Sequence, residues 1–247
     1  MKTEIKSHYD NLAAIYEDLW TYSEDFVFTI SKQIIEQLEL KESDILVDYG
    51  CGTGIYSKAI LKQKSLQNDI ICTDLSEKML ANLKSKQGFK IFVKDAIEFS
   101  KMNLKYDKVF IKEMIHHVKK GRQKIYENVY RNLNTNGIFI ILLLPPKIEY
   151  PLFDMAMEYY EKSQPHFSTI EQGMKNAGFK VEMDFIEYPL QIKKEKYYNM
   201  IRNRYMSLLS QYSDAEIENG IRELEEKYID NTFFSFKDKF VVLKGRK

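Results

Sequence analysis

Short apolar runs recur along the chain with stretches of helical spacing between them, at residues 45–49, 69–73, 90–93, 108–112, 138–144, 180–188 and 234–243. The alternation predicts a βαβ series. The first, second, fourth and fifth runs are almost wholly apolar, as parallel strands covered on both faces must be. The last two alternate more, and "FFSFKDKFVVLKG" reads as an antiparallel member at the sheet's end. Between the strands, Ser76 is placed to cap a helix over residues 77–86, with Gly88 just beyond it, and Gly178 follows a second helical pattern over 170–177. The expected fold is therefore α/β, a seven-stranded mixed sheet flanked by helices.

Two segments break the alternation. Residues 1–40 precede the first strand, and residues 192–231 separate the sixth strand from the seventh, far beyond an ordinary loop. The second segment sets Tyr197, Met200, Ile201, Tyr205, Leu208 and Leu209 at helical spacing. Both are expected to be helical, the first as a lid and the second as an insertion over a substrate pocket. No internal repeat, low-complexity tract or linker divides the chain, so residues 1–247 are expected to form one domain.

Charge changes the picture mainly by exclusion. With 37 basic and 36 acidic side chains the formal net charge is +1, so no global field draws the chain to nucleic acid or an anionic membrane. A small-molecule partner is expected, with the chain a monomer or homodimer. Cys51 and Cys72 show neither metal-ligand nor disulfide-framework spacing, and the four histidines are scattered, so no metal is expected. The first residues lack an apolar signal region, and the longest apolar run, residues 138–144, is too short to span a bilayer, which predicts a cytoplasmic protein.

The chemistry is concentrated after the first strand, where "DYGCGTG" places Gly50, Gly52 and Gly54 between a strand and a helical pattern. Glycines there let the backbone turn sharply and approach a ligand, while the next helix offers free N–H groups. The dinucleotide fingerprint fails, because its third glycine would fall where Ile55 stands, and no Gly-Lys-Ser/Thr follows to make a P-loop. Asp48 is informative: a carboxylate ahead of the glycines repels a pyrophosphate and attracts an ammonium, so the turn suits a zwitterion.

Asp-x-Gly-x-Gly-x-Gly resembles the first motif of class I S-adenosylmethionine-dependent methyltransferases, in particular the small-molecule enzymes, and the resemblance continues in order along the chain. In "IICTDLSEKML", Asp74 matches the family's acidic residue for the ribose hydroxyls, a diol to which one carboxylate can bond twice. In "FVKDAIEF", Asp95 and Ala96 match the positions that contact the adenine. "YDKVFIKEMIHHV" matches the strand bordering the methyl-transfer site, and "LNTNGIFIILLLPP" the fifth strand. The resemblance implies a Rossmann-like sheet whose last strand is antiparallel. It also implies S-adenosylmethionine as cofactor and S-adenosylhomocysteine as product, with Cys51, Leu75, Met79, Lys112 and Tyr9 joining the cofactor site.

A sulfonium-bound methyl is already activated, so such an enzyme mainly aligns a nucleophile and excludes water. A general base adds rate for a protonated acceptor, and His116 and His117 are the candidates. Glu113, Tyr16, Arg204 and Tyr205 are candidate acceptor contacts, Arg202 being a further basic residue of the same insertion, and Tyr9, Tyr16 and Trp20 are candidate lid aromatics. The implied reaction is methylation of an O or N nucleophile on a small aromatic or heterocyclic metabolite. An RNA or protein methyltransferase and a non-catalytic cofactor-binding partner protein are the alternatives. "KEMIHH", in place of an Asn/Asp-Pro-Pro-Tyr/Phe turn, and the lack of a basic module both oppose a nucleic-acid substrate.

Overall fold

The computed structural model describes the backbone of residues 2–247 and the side chains from residue 4 onward. In chain order the elements are α1 (Lys2–Leu12), α2 (Tyr16–Trp20), α3 (Glu24–Leu38), β1 (Leu46–Tyr49), α4 (Ile55–Gln63), β2 (Ile70–Asp74) and α5 (Glu77–Leu80). There follow β3 (Phe89–Val93), α6 (Ala96–Ser100), β4 (Tyr106–Lys112), α7 (Arg122–Asn132), β5 (Leu133–Leu143), α8 (Asp154–Ser163) and α9 (Phe167–Asn176). The chain closes with β6 (Lys180–Lys193), α10 (Lys194–Arg202), α11 (Asp214–Lys227) and β7 (Phe233–Arg246).

The seven strands form one sheet in the order β3-β2-β1-β4-β5-β7-β6. The first five are parallel, and β7 enters antiparallel between β5 and β6. Each central strand divides its residues between two cores by the two-residue period of a pleated strand. Phe110, Ile138, Ile140, Leu142 and Val242 face one core together with Ile30, Ile34 and Leu38 of α3. Val109, Ile111, Phe139, Ile141 and Leu243 face the other, under α7 and α9. Side chains buried this fully stabilise the fold by roughly 1.5–3 kcal/mol each.

Capping fixes where the helices start. Ser76 Oγ accepts from Met79 N, as the sequence implies, and Ser213 forms a reciprocal capping box with Glu216 ahead of α11. Three expectations change in detail. The helix after Ser76 is one turn of α-helix followed by looser turns, not a continuous element to residue 86. β6 runs on to Lys193, paired with Phe233, so the insertion begins at Lys194 from the end of a long β-ribbon. Within residues 1–40, α3 packs into the core beside the sheet, leaving only α1 and α2 free to cover anything.

Candidate active site

A cavity of about 520 Å³ opens beside the carboxyl ends of β1, β2 and β4, where open α/β sheets bind ligands. Its size is that of a small-molecule site. The glycine turn forms one wall. Gly50 adopts φ 72°, and the Gly50 and Cys51 amides both donate to Thr73 O, at 2.8 and 3.1 Å, which folds the turn back over β2. A Cβ at Gly50 would lie 2.3 Å from Met114 Cγ, so only glycine lets the loop pass the segment after β4.

Beside the turn, the Asp74 carboxylate is fixed by backbone donors: Gly52 N donates to Oδ2 at 3.0 Å and Ser76 N to Oδ1 at 2.8 Å. Burial raises its pKa, opposed by those N–H groups. Each oxygen keeps a lone pair for a diol, so the arrangement suits a ribose. Asp48 lies deeper, 4% exposed, with Oδ2 accepting from Ser57 Oγ at 2.6 Å. Burial pushes its carboxyl up to about 7, against the Ser57 hydrogen bond. A nearby ammonium would favour its ionised form.

The opposite wall is "KEMIHH". Lys112 Nζ sits 4.6 Å above the Tyr56 ring and 4.2 Å above that of Phe240, and the charges of Tyr56, Asp238 and Glu113 outweigh burial to raise its pKa. Glu113 holds the left-handed conformation, φ 52°, uncommon for a side-chain-bearing residue. Its N donates to Leu142 O at 3.0 Å, its Oε1 accepts from Leu144 N at 2.5 Å, and its Oε2 lies 3.9 Å from His116 Nδ1. Burial pushes its carboxyl up to about 7.

Both candidate bases line the cavity, and burial makes both neutral at pH 7. His116 Nδ1 is buried without a hydrogen-bond partner, whereas His117 Nε2 shares a 2.8 Å hydrogen bond with the Tyr9 hydroxyl and has its pKa lowered to about 4. The adjacent rings thus differ, one tied to α1 and one not. Tyr9, Tyr16 and Trp20 all face the cavity from α1 and α2. Those helices are pinned by Asp10, which accepts from Ser76 Oγ at 2.5 Å, and by a Lys58–Glu17 ion pair.

The remaining expected residues lie elsewhere. Gly54 caps α4, and Leu75, half-buried, is not part of the cavity wall. Asp95 caps α6, accepting from Ile97 N and Glu98 N, with Ala96 following; neither belongs to the cavity wall. Arg204 stops α10 at φ 53° and spends its guanidinium on Asp214 Oδ1 at 2.6 Å and Tyr212 O at 3.1 Å. Tyr205 is buried behind Trp20, bonding Tyr197 through its hydroxyl at 2.8 Å and accepting from Trp20 Nε1 at 3.1 Å. Arg202 pairs with Glu218 on the surface. In their place the insertion offers Met206, Ser207, Leu208, Ser210 and Gln211 to the cavity.

Sequence reading also missed His8, Tyr56, Met114, Tyr160 and Gln164, all on the cavity wall. His8, one residue before the chosen Tyr9, and Met114, inside "KEMIHH", had local signals. Tyr160 and Gln164 had none, since α8 reaches the cavity only through tertiary packing. Among the described residues no group of three or more His, Cys, Asp or Glu side chains is placed to hold a metal ion, and no helix is long and apolar enough to cross a membrane.

Comparison with known proteins agrees with this geometry. A family profile described as a methyltransferase domain matches residues 46–137, the span from β1 into β5 that carries the glycine turn, Asp74 and "KEMIHH". Over those residues the chain is similar to a methyltransferase domain. An uncharacterised protein of Methanocaldococcus jannaschii is 30% identical over 140 residues, covering 56% of this chain and 51% of its own. The chain thus spans about half the length of that curated relative.

The methyltransferase fold also extends beyond the matched residues. The phosphoethanolamine N-methyltransferase 2 of Haemonchus contortus, solved with phosphomonomethylethanolamine and S-adenosylhomocysteine, superposes with a TM-score of 0.61 at 17% identity. That match covers 98% of this chain and 59% of the other. A SAM-dependent methyltransferase from Archaeoglobus fulgidus gives 0.61 at 17% identity, over 94% and 98% of the two chains. These likenesses establish a shared fold, in which β7 enters antiparallel.

Proposed function

We propose that this chain transfers a methyl group from S-adenosylmethionine to a nitrogen or oxygen of a small, ring-bearing metabolite. The observation that carries the reading is the Asp74 carboxylate, held by Gly52 N and Ser76 N beside the glycine turn and opening onto the same cavity as two neutral histidines. The residues present fit the cofactor: Asp74 presents lone pairs to a diol, Asp48 answers an ammonium, and Gly50 and Gly52 of the turn line the same cavity. When bound, S-adenosylmethionine supplies a sulfonium-activated methyl.

The protein's part is alignment and exclusion of water. Tyr9 and His117 draw α1 across the cavity, and Tyr16, Trp20, Met206 and Leu208 complete an apolar roof. His116, neutral and with an unpaired Nδ1, is available to accept a proton from an acceptor that carries one. The aromatic lining supports a planar acceptor, and the near-zero net charge supports a small molecule over nucleic acid. A cytoplasmic protein acting as a monomer or homodimer is consistent with this reading.

Calorimetric titration with S-adenosylhomocysteine tests it. The full chain is expected to bind at micromolar Kd. Asp74→Ala is expected to lose about tenfold or more, since it removes charge-assisted hydrogen bonds to the ribose. An unfolding profile alongside shows whether the variant is folded. Absence of binding by the wild-type chain overturns the reading, and binding without transfer to any acceptor favours a non-catalytic partner protein.

A further inference from the structure

The charges on the acceptor side of the cavity do not balance. Among the described residues two strong bases line it, Lys112, half-buried, and Lys119, exposed. The Lys112 ammonium already lies over the faces of Tyr56 and Phe240, and the charges of two carboxylates, Asp238 and Glu113, act on it through space. Asp238 is 1% exposed, and its Oδ1 has no hydrogen-bond partner. One cation facing two carboxylates leaves a net negative charge, and the nearby histidines add nothing positive because burial keeps His8, His116 and His117 neutral.

Of the two carboxylates only Glu113 lines the cavity. Its Oε1 is committed to Leu144 N, whereas its Oε2 has only the 3.9 Å approach of His116 Nδ1. Tyr9, Tyr16, Trp20, Tyr56 and Tyr160 surround the same space, and aromatic faces attract cations. Resting on the methyl-transfer reading above, we propose that the acceptor is an amine which docks as its ammonium form on Glu113 Oε2 and the aromatic walls, then gives one proton to the neutral His116 Nδ1 so that its freed lone pair can take the methyl, and that Glu113 sets this specificity. An acceptor bearing a carboxylate or phosphate would meet uncompensated negative charge there, with no free inner cation to receive it. Burial raises the pKa of Glu113 to about 7, with a smaller push from Asp238, and that of Asp238 to about 6, both against the opposing pull of Lys112.

The test uses three probes that share one skeleton and differ only in head group: phenethylamine, 2-phenylethanol and phenylacetate. Each is titrated calorimetrically into the full chain saturated with S-adenosylhomocysteine. The amine is expected to bind at least about tenfold tighter than the alcohol or the acid, the scale of one partly desolvated charge pair. Glu113→Gln still offers an oxygen to Leu144 N, and is expected to lower amine affinity about tenfold while moving alcohol affinity less than about twofold.

Equal or tighter binding of the alcohol or the acid overturns the proposal, as does an amine preference that survives in Glu113→Gln or a failure of all three to bind. The wild-type comparison stands even if the variant does not fold. Failure of S-adenosylhomocysteine to bind sinks the methyl-transfer reading instead, and the probe preference is then read on the unliganded chain with the same outcomes.

Discussion

At the scale of single residues, the hydrogen bond between Tyr9 and His117 joins a helix of the first dozen residues to the turn after β4, with 108 positions between the partners. Both groups are half-buried, so removing either leaves the other with a partly desolvated, unpaired polar atom. Tyr9→Phe and His117→Ala are each expected to weaken S-adenosylhomocysteine binding by about three- to thirtyfold. The double variant should lose little more than either single one, because partners in one contact do not add. Additive losses in a calorimetric double-mutant cycle would show that the two residues act separately. Sequence singled out both residues but not their contact. Asp74 was legible because its partners, Gly52 and Ser76, are near neighbours in motif and turn. Arg204 and Tyr205 were not, because their direction depends on a left-handed residue ending α10 early, and helical spacing carries no sign of that break.

At the scale of elements, the strands were legible to within a few residues, since buried parallel strands leave continuous apolar runs that nothing else of that length produces. The ends of β6 and β7 were not, because the ribbon beyond residue 188 alternates polar and apolar residues on a half-exposed surface. The segment expected as a lid, residues 1–40, divides between core and surface in the structure. α3 buries Phe26, Ile30, Ile34 and Leu38, whereas residues 4–23 bury only Leu12 and Leu19. So slight an attachment makes opening of α1 and α2 cheaper than global unfolding. In hydrogen exchange, adding S-adenosylhomocysteine should slow amides of α1 and α2 by about tenfold or more and leave β5 and β7 unchanged. Equal protection in both regions, or none in the helices, would mean that they are not a ligand-linked lid.

At the scale of the whole molecule, the cavity sets two opposing pH dependences against each other. Asp48 and Glu113, pushed up to about 7, and Asp238, pushed up to about 6, hold protons in the folded state that the unfolded chain releases near pH 4. Their contribution to stability is full below pH 4 and is lost as pH rises through 6–7. His117, lowered to about 4 by burial, behaves in reverse: its contribution is full above pH 6.5 and is lost as pH falls through about 4. The two slopes share one window, and the three carboxylates outweigh the one histidine, so these groups should make wild-type stability fall as pH rises from 4.5 to 7. Single substitutions should uncover the halves. Asp238→Asn removes a carboxylate that is costly to ionise, and its stability relative to wild type should rise by roughly 2 kcal/mol, a few degrees in Tm, on going from pH 4.5 to pH 8. His117→Gln should drift the other way, its stability relative to wild type falling over the same interval. Thermal unfolding of the three proteins across that range checks both signs at once. Parallel curves would show that neither buried group changes its proton affinity on folding.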